Sequence, residues 1–432
     1  MLTDTSRRTI HLEERGSPVE LHLSDKQHDQ LVSVMRGFQR LSTTNYPEPR
    51  RASGLGDNAS VEAALTIDYL GRDSESGTGV FSIRANDYVG VIAIDDLIIS
   101  ISPKIDLKHF LYIISHGTKW NIFKRDDSID AGETVDDFLE IVATWFLQEV
   151  TRLLPDRLLQ DYRPVENYTS TVRGTIFARQ TTEALLLGNL AVFNRFEIFD
   201  VDTPQNRLLK HAVRLVGQFR TLPDSILGRA RALWSRLDEI GSYQQADFRA
   251  PVDRRYLSMG FAPALDLARR IVSAGGYQST SSDIPARPFL LRTYDLVELG
   301  MLSILARDLA GSFKVRKTTI NYDVSKHASP DLVFQSRLSG QTVATGDVKY
   351  KLDASWLEER SDLYQATYFA TAANVKLGST IYFSEVHREP DMTEQPGNLQ
   401  LAQFFWNCSA SSAPDDSRKT LVSSVREWLQ TE

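Results

Sequence analysis

Apolar residues recur at helical spacing in the central part of the chain. Residues 133–154, "ETVDDFLEIVATWFLQEVTRLL", place eight large apolar side chains on one side of a single long helix. The same spacing predicts two further helices, at about 204–222 and about 225–240. The central region is therefore predicted to be mainly helical.

The N-terminal part alternates apolar and polar residues, which is typical of strands. "RTIHLEE" and "VELHLS" predict two short strands, followed by a helix with Ser24 as its N-cap and Gln27 completing a capping box. Residues 42–60 are rich in Pro, Gly, Ser and Asn and predict a long exposed loop. From about 62 to 106 the pattern predicts a small antiparallel sheet or barrel-like module.

A Gly/Ser/Pro-rich break at 273–288 precedes a different pattern. The segments after it predict a helix, a two-stranded hairpin, a second helix and a strand, the order of an α/β sandwich: "FLLRTYDLVELGMLSILARDLA", "DLVFQSR", "TVATGDVKYK", "RSDLYQATYFATAANV" and "STIYFSEV". We therefore predict an α+β multidomain protein. Its predicted parts are 1–60 (strands, helix and loop), 61–130 (a β-rich module), 131–283 (a helical region) and 284–432 (an α/β domain).

Composition narrows the classes of protein. A chain of 432 residues with 24% charged and 42% hydrophobic residues is typical of a globular protein. Its one cysteine, Cys408, excludes a disulfide framework or a cysteine-based zinc site within one chain. The sequence shows neither a signal-peptide pattern nor an apolar run long enough to span a bilayer, so we expect a cytoplasmic protein without a membrane partner. The net charge of −7 argues against a protein that coats nucleic acid.

Charged residues inside the strand "TVATGDVKYK" are the strongest candidate for chemistry. Asp347 and Lys349 share one face of that strand, and the hairpin should bring Asp331 close to Asp347. Two neighbouring carboxylates repel each other unless a cation binds between them, and Mg²⁺ prefers oxygen ligands. We predict a Mg²⁺ site here, with Mn²⁺ as a substitute. The alternative is an ordinary Asp347–Lys349 surface pair on an edge strand.

The order Pro-Asp, then Asp-x-Lys in a strand, resembles the PD-(D/E)xK nuclease superfamily. That resemblance implies a restriction-endonuclease-like domain in which Asp331, Asp347, Lys349 and Gln365 are catalytic and Asp331, Asp347 and Glu298 bind the metal. Asp295, one turn from Glu298 in the same predicted helix, competes for the role of the accessory acid. Glu298 and Gln365 could equally be ordinary solvated helix residues.

Longer segments are similar to the McrC family, the nuclease subunits of McrBC modification-dependent restriction systems. They are "NDYVGVIAIDDLIISISPKID", "RLLPDRLLQDYRPVENYTSTVRGTI", "RFEIFDVDTPQNRLLKHAVRLV" and "DVKYK". The second contains Tyr162, Glu166 and Arg173-Gly174, and the third contains Asn206, Arg207 and Lys210. The similarity covers about residues 60–390 and is weakest in the helix of Glu298.

Membership of this family would imply a Mg²⁺-dependent DNA endonuclease. It would work with a hexameric ring of an McrB-like AAA+ GTPase, whose hydrolysis it stimulates and which recognises modified duplex DNA. The chain lacks the GxxxxGK[ST] motif with which to bind a nucleotide itself. About residues 60–250 would dock onto the ring. Two alternatives stay open: a non-catalytic regulatory or assembly subunit of such a ring, and a stand-alone repair nuclease.

A basic stripe on the predicted helix at 204–222 is a further candidate. Arg207, Lys210 and Arg214 are spaced by three and four residues, so they lie on one face. Such a stripe is commonly a solvated helix face. Its functional interpretation is a contact with DNA phosphate or with an acidic partner.

Overall fold

The computed structural model describes ten stretches of the chain: 8–45, 63–117, 136–154, 158–219, 221–251, 260–275, 287–322, 327–352, 356–395 and 397–430. Within them the chain forms ten α-helices and eighteen β-strands, a mixed α/β fold as the sequence predicts. The helices are α1 Asp25–Asn45, α2 Leu107–Gly117, α3 Asp136–Leu153, α4 Ala178–Leu186, α5 Pro204–Val216, α6 Asp224–Arg236, α7 Ala262–Gly275, α8 Thr293–Asp308, α9 Trp356–Ala372 and α10 Pro414–Leu429.

The strands fall into five sheets, and one short 3₁₀ helix covers Gln245–Arg249. The strands are β1 Arg8–Glu13, β2 Val19–Leu23, β3 Leu65–Arg72, β4 Gly79–Ala85, β5 Tyr88–Ile94, β6 Leu97–Ser102, β7 Asp161–Thr169, β8 Thr175–Ile176, β9 Val192–Asp200, β10 Arg287–Arg292, β11 Phe313–Arg316, β12 Ile320–Asn321, β13 His327–Ala328, β14 Leu332–Ser336, β15 Thr342–Leu352, β16 Leu377–Ser384, β17 Asp391–Gln395 and β18 Leu399–Asn407.

The chain divides into two compact units. Unit 1 consists of Met1–Leu139 together with Ala274–Glu432, and unit 2 is Glu140–Ser273. The division into four domains expected from the sequence stays a prediction. In the described residues, no helix combines the length and the apolar character needed to cross a membrane.

The largest sheet of unit 1 has six strands in the order β11-β14-β15-β16-β18-β17. β14 and β15 form an antiparallel hairpin, whereas β15, β16 and β18 run parallel. All eight residues of β16 are buried, as expected for a parallel strand that is covered on both faces, and α9 packs against β15 and β16. β15 is therefore an interior strand.

Two smaller sheets of unit 1 share a core with α1. One has the order β2-β4-β3 and the other β1-β6-β5-β10. Within residues 62–106 the strands pair antiparallel as predicted, β3 with β4 and β5 with β6, but they belong to two sheets, and β1 adds a parallel edge to the second. The expectation that Phe289–Arg292 begin a helix is wrong, because they belong to β10, which pairs with β5. Strand partners so distant in the chain leave no local signal in the sequence.

The N-terminal helix begins as predicted. The backbone N–H of Gln27 donates to Oγ of Ser24 (3.2 Å), and the N–H of Ser24 donates to Oε1 of Gln27 (3.0 Å). This capping box satisfies two backbone donors at the helix start. The helix runs on to Asn45, so the loop predicted at 42–60 is wrong for 42–45, and 46–60 lie outside the described residues.

Helices α2 and α8 of unit 1 approach each other closely at Gly300. A Cβ atom at this position would clash with the backbone carbonyl oxygen of Ile113 on α2. Only a residue without a side chain permits this approach, which fixes the position of α8 and of the acid it carries, Glu298.

Unit 2 contains the predicted helices α5 and α6, but it is not purely helical. Strands β7, β9 and β8 form an antiparallel sheet, with Tyr162 opposite Phe199. The expectation of a mainly helical region missed this sheet, because β7 is largely exposed on both faces and does not show apolar alternation. Helix α5 begins at Pro204, with Oγ1 of Thr203 accepting a hydrogen bond from the N–H of Asn206 (3.2 Å).

Candidate active site

The β14–β15 hairpin brings Asp331 and Asp347 together, as the sequence predicts. Asp331 lies directly before β14 and Asp347 lies within β15, and their buried carboxyl groups hydrogen-bond to each other. Oδ2 of Asp331 also accepts the backbone N–H of Val348 (3.1 Å), which ties it to the partner strand. Two acidic side chains are thus held at one buried point.

Lys349 completes this cluster on the same face of β15. Its Nζ lies 2.5 Å from Oδ2 of Asp347 and donates to Oε1 of Gln365 on α9 (2.6 Å). The alternative of a surface pair on an edge strand is wrong, because β15 lies between β14 and β16 and both charged residues are buried. Gln365 faces the cluster.

Glu298 on helix α8 is linked to the cluster by Lys317, a contact that the sequence analysis did not predict. Nζ of Lys317 donates to Oε2 of Glu298 and to Oδ1 of Asp331, both at 2.7 Å. The side chain of Glu298 is 12% exposed. That of Asp295 is 61% exposed and lies 3.7 Å from Arg292. Of the two candidate acids, Glu298 thus lies against the cluster and Asp295 is exposed.

The surroundings shift the pKa values of the three acids in different directions. Burial raises the pKa of Asp347 to about 8, and the Asp331 carboxylate adds to the rise. Burial also acts to raise the pKa of Asp331, but Lys317 and the hydrogen bond from Asp347 outweigh it and hold that pKa below its ordinary value. Burial, followed by the charge of Asp331, raises the pKa of Glu298 to about 7. Asp331 and Asp347 thus share a proton near neutral pH, as expected for two close carboxyl groups.

The donor set fits a hard divalent cation held by two carboxylates. Oδ2 of Asp347 is buried and accepts no hydrogen bond from the described residues, although Lys349 lies beside it as an ion pair. Mg²⁺ commonly takes one or two carboxylates and completes its shell with water and phosphate oxygens. The described residues contain no group of three or more His, Cys, Asp or Glu side chains arranged to hold a metal. The Lys317 ammonium, which lies between Glu298 and Asp331, keeps Glu298 apart from the other two acids.

Asp362 on α9 lies beside the Lys349 ammonium, and the sequence analysis did not identify it. Its buried carboxylate accepts from Nζ of Lys351 (2.9 Å) and from the hydroxyl of Tyr382 (3.2 Å), and it lies 3.8 Å from Nζ of Lys349. The spacing offers a signal in retrospect, since Asp362 precedes Gln365 by three residues, about one helical turn. Asp362 limits where the Lys349 ammonium can move.

A polar cluster lies behind β15, within the same unit. Glu14 accepts a hydrogen bond from Oγ1 of Thr293, the first residue of α8, and lies 3.8 Å from Nζ of Lys104. The Lys104 ammonium in turn lies 4.1 Å from the ring centre of Tyr350 on β15. Burial raises the pKa of Glu14 to about 7 and lowers the pKa of Lys104. These contacts join the N-terminal sheet to the strand and the helix that carry the acids.

The three basic residues of α5 do not form one free stripe. Arg207 is mostly buried and pairs with Asp247 (2.8 Å) and Asp202 (3.1 Å). Nζ of Lys210 donates to the carbonyl oxygen of Ile240 (2.5 Å), whereas Arg214 is exposed. Arg207 and Lys210 are thus engaged in the fold of unit 2. A contact of any of the three with DNA or a partner stays a prediction.

The Arg-Gly signature of unit 2 has a backbone explanation. Gly174 has φ of +59°, and a Cβ atom there would clash with the carbonyl oxygen of Arg195 on β9. Arg195 also pairs with Glu166 across the sheet (Nε to Oε1, 2.8 Å). Asn206 is buried and donates from Nδ2 to the carbonyl oxygens of Leu159 and Val201, both at 2.8 Å. These signature residues stabilise the local fold of unit 2.

Comparison with known proteins adds family information. The family model for "McrBC 5-methylcytosine restriction system component" matches residues 83–382. No curated protein matches the sequence. The fold is similar to a chain of the refined half-complex from a tetradecameric assembly of Thermococcus gammatolerans McrB AAA+ hexamers with bound McrC. That match has a TM-score of 0.60 and 15% identity, and it covers 98% of this chain and 100% of that chain. A chain of the Thermococcus gammatolerans McrBC complex matches with a TM-score of 0.45 and 16% identity, over 70% of this chain and 88% of the other.

Proposed function

Because this chain belongs to the McrBC 5-methylcytosine restriction system component family, we propose that it is the DNA endonuclease subunit of a McrBC-like restriction system. It cuts DNA in a Mg²⁺-dependent reaction when assembled with a GTP-driven AAA+ ring, whose hydrolysis it stimulates. The six-stranded sheet with its flanking helices serves as a PD-(D/E)xK-type nuclease domain.

The buried cluster of Asp331, Asp347 and Lys349 is the observation that carries this proposal. A charged side chain in a sheet interior is costly unless it is paired or binds a metal. Here two acids share a proton beside a buried lysine, an arrangement that stabilises the fold less than apolar packing would. Perturbed carboxyl groups clustered in this way are typical of catalytic sites.

Each residue of the cluster has a role in phosphodiester hydrolysis. The carboxylates of Asp331 and Asp347 would hold the cation, which when bound supplies a Lewis acid and an activated water. Lys349, whose ammonium is held by Gln365, would stabilise the charge that develops on the scissile phosphate. Glu298 is the accessory acid at the edge of the cluster. The mostly buried surroundings restrict water, which strengthens these interactions.

The partner is proposed from the similar solved assembly, which contains McrB AAA+ hexamers with bound McrC. Unit 2 has an exposed apolar tip at the end of α4, made of Leu186 (83% exposed), Leu187 (87%) and Leu190 (86%). Adjacent apolar side chains with such exposure commonly mark a protein interaction site. We assign this tip to the docking of unit 2 onto the ring.

The decisive experiment assembles the full chain with its McrB-like partner, GTP, Mg²⁺ and duplex DNA that contains 5-methylcytosine. Asp347→Asn and Lys349→Met are expected to slow cleavage at least about 100-fold while GTP hydrolysis is still stimulated. Glu298→Gln should slow cleavage, whereas Asp295→Asn, the same kind of change on the exposed neighbouring acid, should not. Cleavage by Asp347→Asn at the wild-type rate would refute the site.

Two further outcomes would replace the proposal. If the wild-type complex stimulates GTP hydrolysis but never cuts, the chain is a non-catalytic subunit. If the chain alone cuts specific DNA with Mg²⁺ and no ring, it is a stand-alone nuclease.

The docking surface has its own test in unit 2. Changing Leu186 and Leu187 together to aspartate should abolish the stimulation of GTP hydrolysis. Leu338→Asp, at an even more exposed leucine (99%) in the β14–β15 turn, is the control. Equal stimulation by both variants would place the docking surface elsewhere.

A fragment that ends near residue 280 would contain the predicted docking residues 60–250, but it is unsuitable for the assay. Such a fragment lacks β10, which pairs with β5 along six residues. The full chain is therefore used in every assay.

A further inference from the structure

Lys317 contacts Asp331, which the proposed function assigns to metal binding, and Glu298, the proposed accessory acid. It lies directly after β11, whose pairing with β14 places Arg316 opposite Val333 and so brings Lys317 beside Asp331. Its ammonium donates to Asp331 and to Glu298 at the same distance of 2.7 Å. The Lys317 ammonium thus bridges the carboxylate of Asp331, which directly precedes β14, and that of Glu298 on α8.

The Lys317 ammonium lies between Glu298 and Asp331, so that Glu298 joins the two clustered acids only through the lysine. Asp331 has one oxygen on Lys317 and the other on the N–H of Val348. A divalent cation that binds Asp331 therefore lies on the same carboxylate as the Lys317 ammonium, whichever of the two oxygens it uses. Two cations on one carboxylate group repel each other strongly where little water separates them. Lys317 and the metal are competitors for the same ligand.

The two lysines of the site differ in their freedom to move. Lys349 is buried and held by Asp347, by Gln365 and by the nearby Asp362. The side chain of Lys317 is 48% exposed, and its flexible four-carbon stem can carry the ammonium into solvent. Lys349 is therefore a fixed cation of the site, whereas Lys317 can exchange.

We propose that Lys317 is an exchangeable internal cation that competes with the divalent metal for Asp331 and Glu298, and so sets the metal concentration at which the site fills. The inference rests on the proposed function for the identity of the metal ligands. It makes Lys317 an autoinhibitory contact: at low free metal, the ammonium neutralises the acids and the nuclease stays inactive. At higher metal concentration, the divalent ion displaces the ammonium.

The test measures metal binding rather than cleavage. Isothermal titration calorimetry of the full chain with Mn²⁺, without DNA or partner, gives the dissociation constant for wild type, Lys317→Met and Lys314→Met. Methionine keeps most of the length of the side chain and removes its charge. Lys317→Met should bind Mn²⁺ about tenfold more tightly, equivalent to about 1.4 kcal/mol. Lys314 is exposed on β11 and gives the same change in net charge, so its variant should stay within about twofold of wild type.

Several results would overturn the inference. An unchanged or weaker dissociation constant for Lys317→Met excludes competition. Equal tightening by Lys314→Met would assign the effect to net charge. Asp331→Asn should abolish the tight binding in the Lys317→Met background, and persistent binding would mean that the Mn²⁺ lies at another site. Thermal melts without metal check folding, and Lys317→Gln replaces the methionine variant if that one does not fold.

Failure of this inference is distinguishable from failure of the proposed function. A complex that never cleaves DNA, although Lys317→Met binds Mn²⁺ more tightly, refutes the nuclease assignment and leaves the competition intact. Normal cleavage together with unchanged Mn²⁺ binding in Lys317→Met refutes the competition alone.

Discussion

Replacing Glu14 with glutamine is expected to remove a pH dependence of stability that originates behind β15. Glu14 is buried, accepts a hydrogen bond from Thr293 and lies 3.8 Å from the ammonium of Lys104. Burial raises its pKa from 4.5 to about 7, against the opposing attraction of Lys104. A glutamine has nearly the same shape and keeps the acceptor for Thr293, but it cannot ionise.

The size of the effect follows from the two pKa values. Between pH 4.5 and about 7, folded Glu14 keeps a proton that the unfolded chain has already lost. The free energy of unfolding therefore falls as the pH rises through this window. The contribution is complete below pH 4.5 and lost above about pH 7. At about 1.36 kcal/mol per pKa unit, the fall amounts to about 3 kcal/mol.

The assay is urea unfolding of wild type and Glu14→Gln at several pH values from about 5 to 8. The free energy of unfolding of wild type minus that of the variant should fall by about 2–3 kcal/mol across this range. Glu13→Gln, the same change on the exposed neighbouring residue, controls for the loss of one negative charge. A wild-type-minus-variant difference that stays constant from pH 5 to 8 would refute the argument from burial.

Three further substitutions test other contacts. Gly300→Ala should lower the free energy of unfolding by about 1–3 kcal/mol, since its Cβ would clash with the carbonyl oxygen of Ile113; an unchanged thermal melt would contradict the close approach of α2 and α8. Gly174→Ala should destabilise unit 2 by at least about 1 kcal/mol, because alanine is strained at positive φ and would clash with Arg195, and limited proteolysis should show earlier cleavage of unit 2. Asp362→Asn should slow single-turnover DNA cleavage about tenfold without changing Mn²⁺ affinity, because it loosens the Lys349 ammonium but holds no metal; a weaker Mn²⁺ affinity would show that Asp362 is a ligand.

Local patterns in the sequence predicted several of the helices and the hairpin of the candidate site. The apolar spacing of α3, α5 and α6 and the capping box at Ser24 depend on residues within a few positions of each other, so they can be read directly from the chain. The same holds for the hairpin of the candidate site. Alternation along β15 predicts which side chains share a face, and the short connection to β14 predicts that Asp331 lies near Asp347.

Other features depend on contacts between segments that are distant in the chain. Lys317 lies in a basic run, and only the pairing of β11 with β14 and the packing of α8 show that it binds Asp331 and Glu298. The choice of Glu298 over Asp295 is of the same kind, because one helical turn separates a buried from an exposed position.

Burial is what the sequence leaves undetermined at this site. The acid-x-lysine spacing by itself is compatible with a solvated surface pair. The pKa values of Asp347 and Glu14 rise chiefly because other strands and helices exclude water from these carboxyl groups. The sequence by itself determined helices such as α3, α5 and α6, the hairpin and the residue types that could bind a metal. The tertiary structure decided which of these side chains meet, how far each is removed from water and which lysine neutralises which acid, because these depend on the packing of the whole unit.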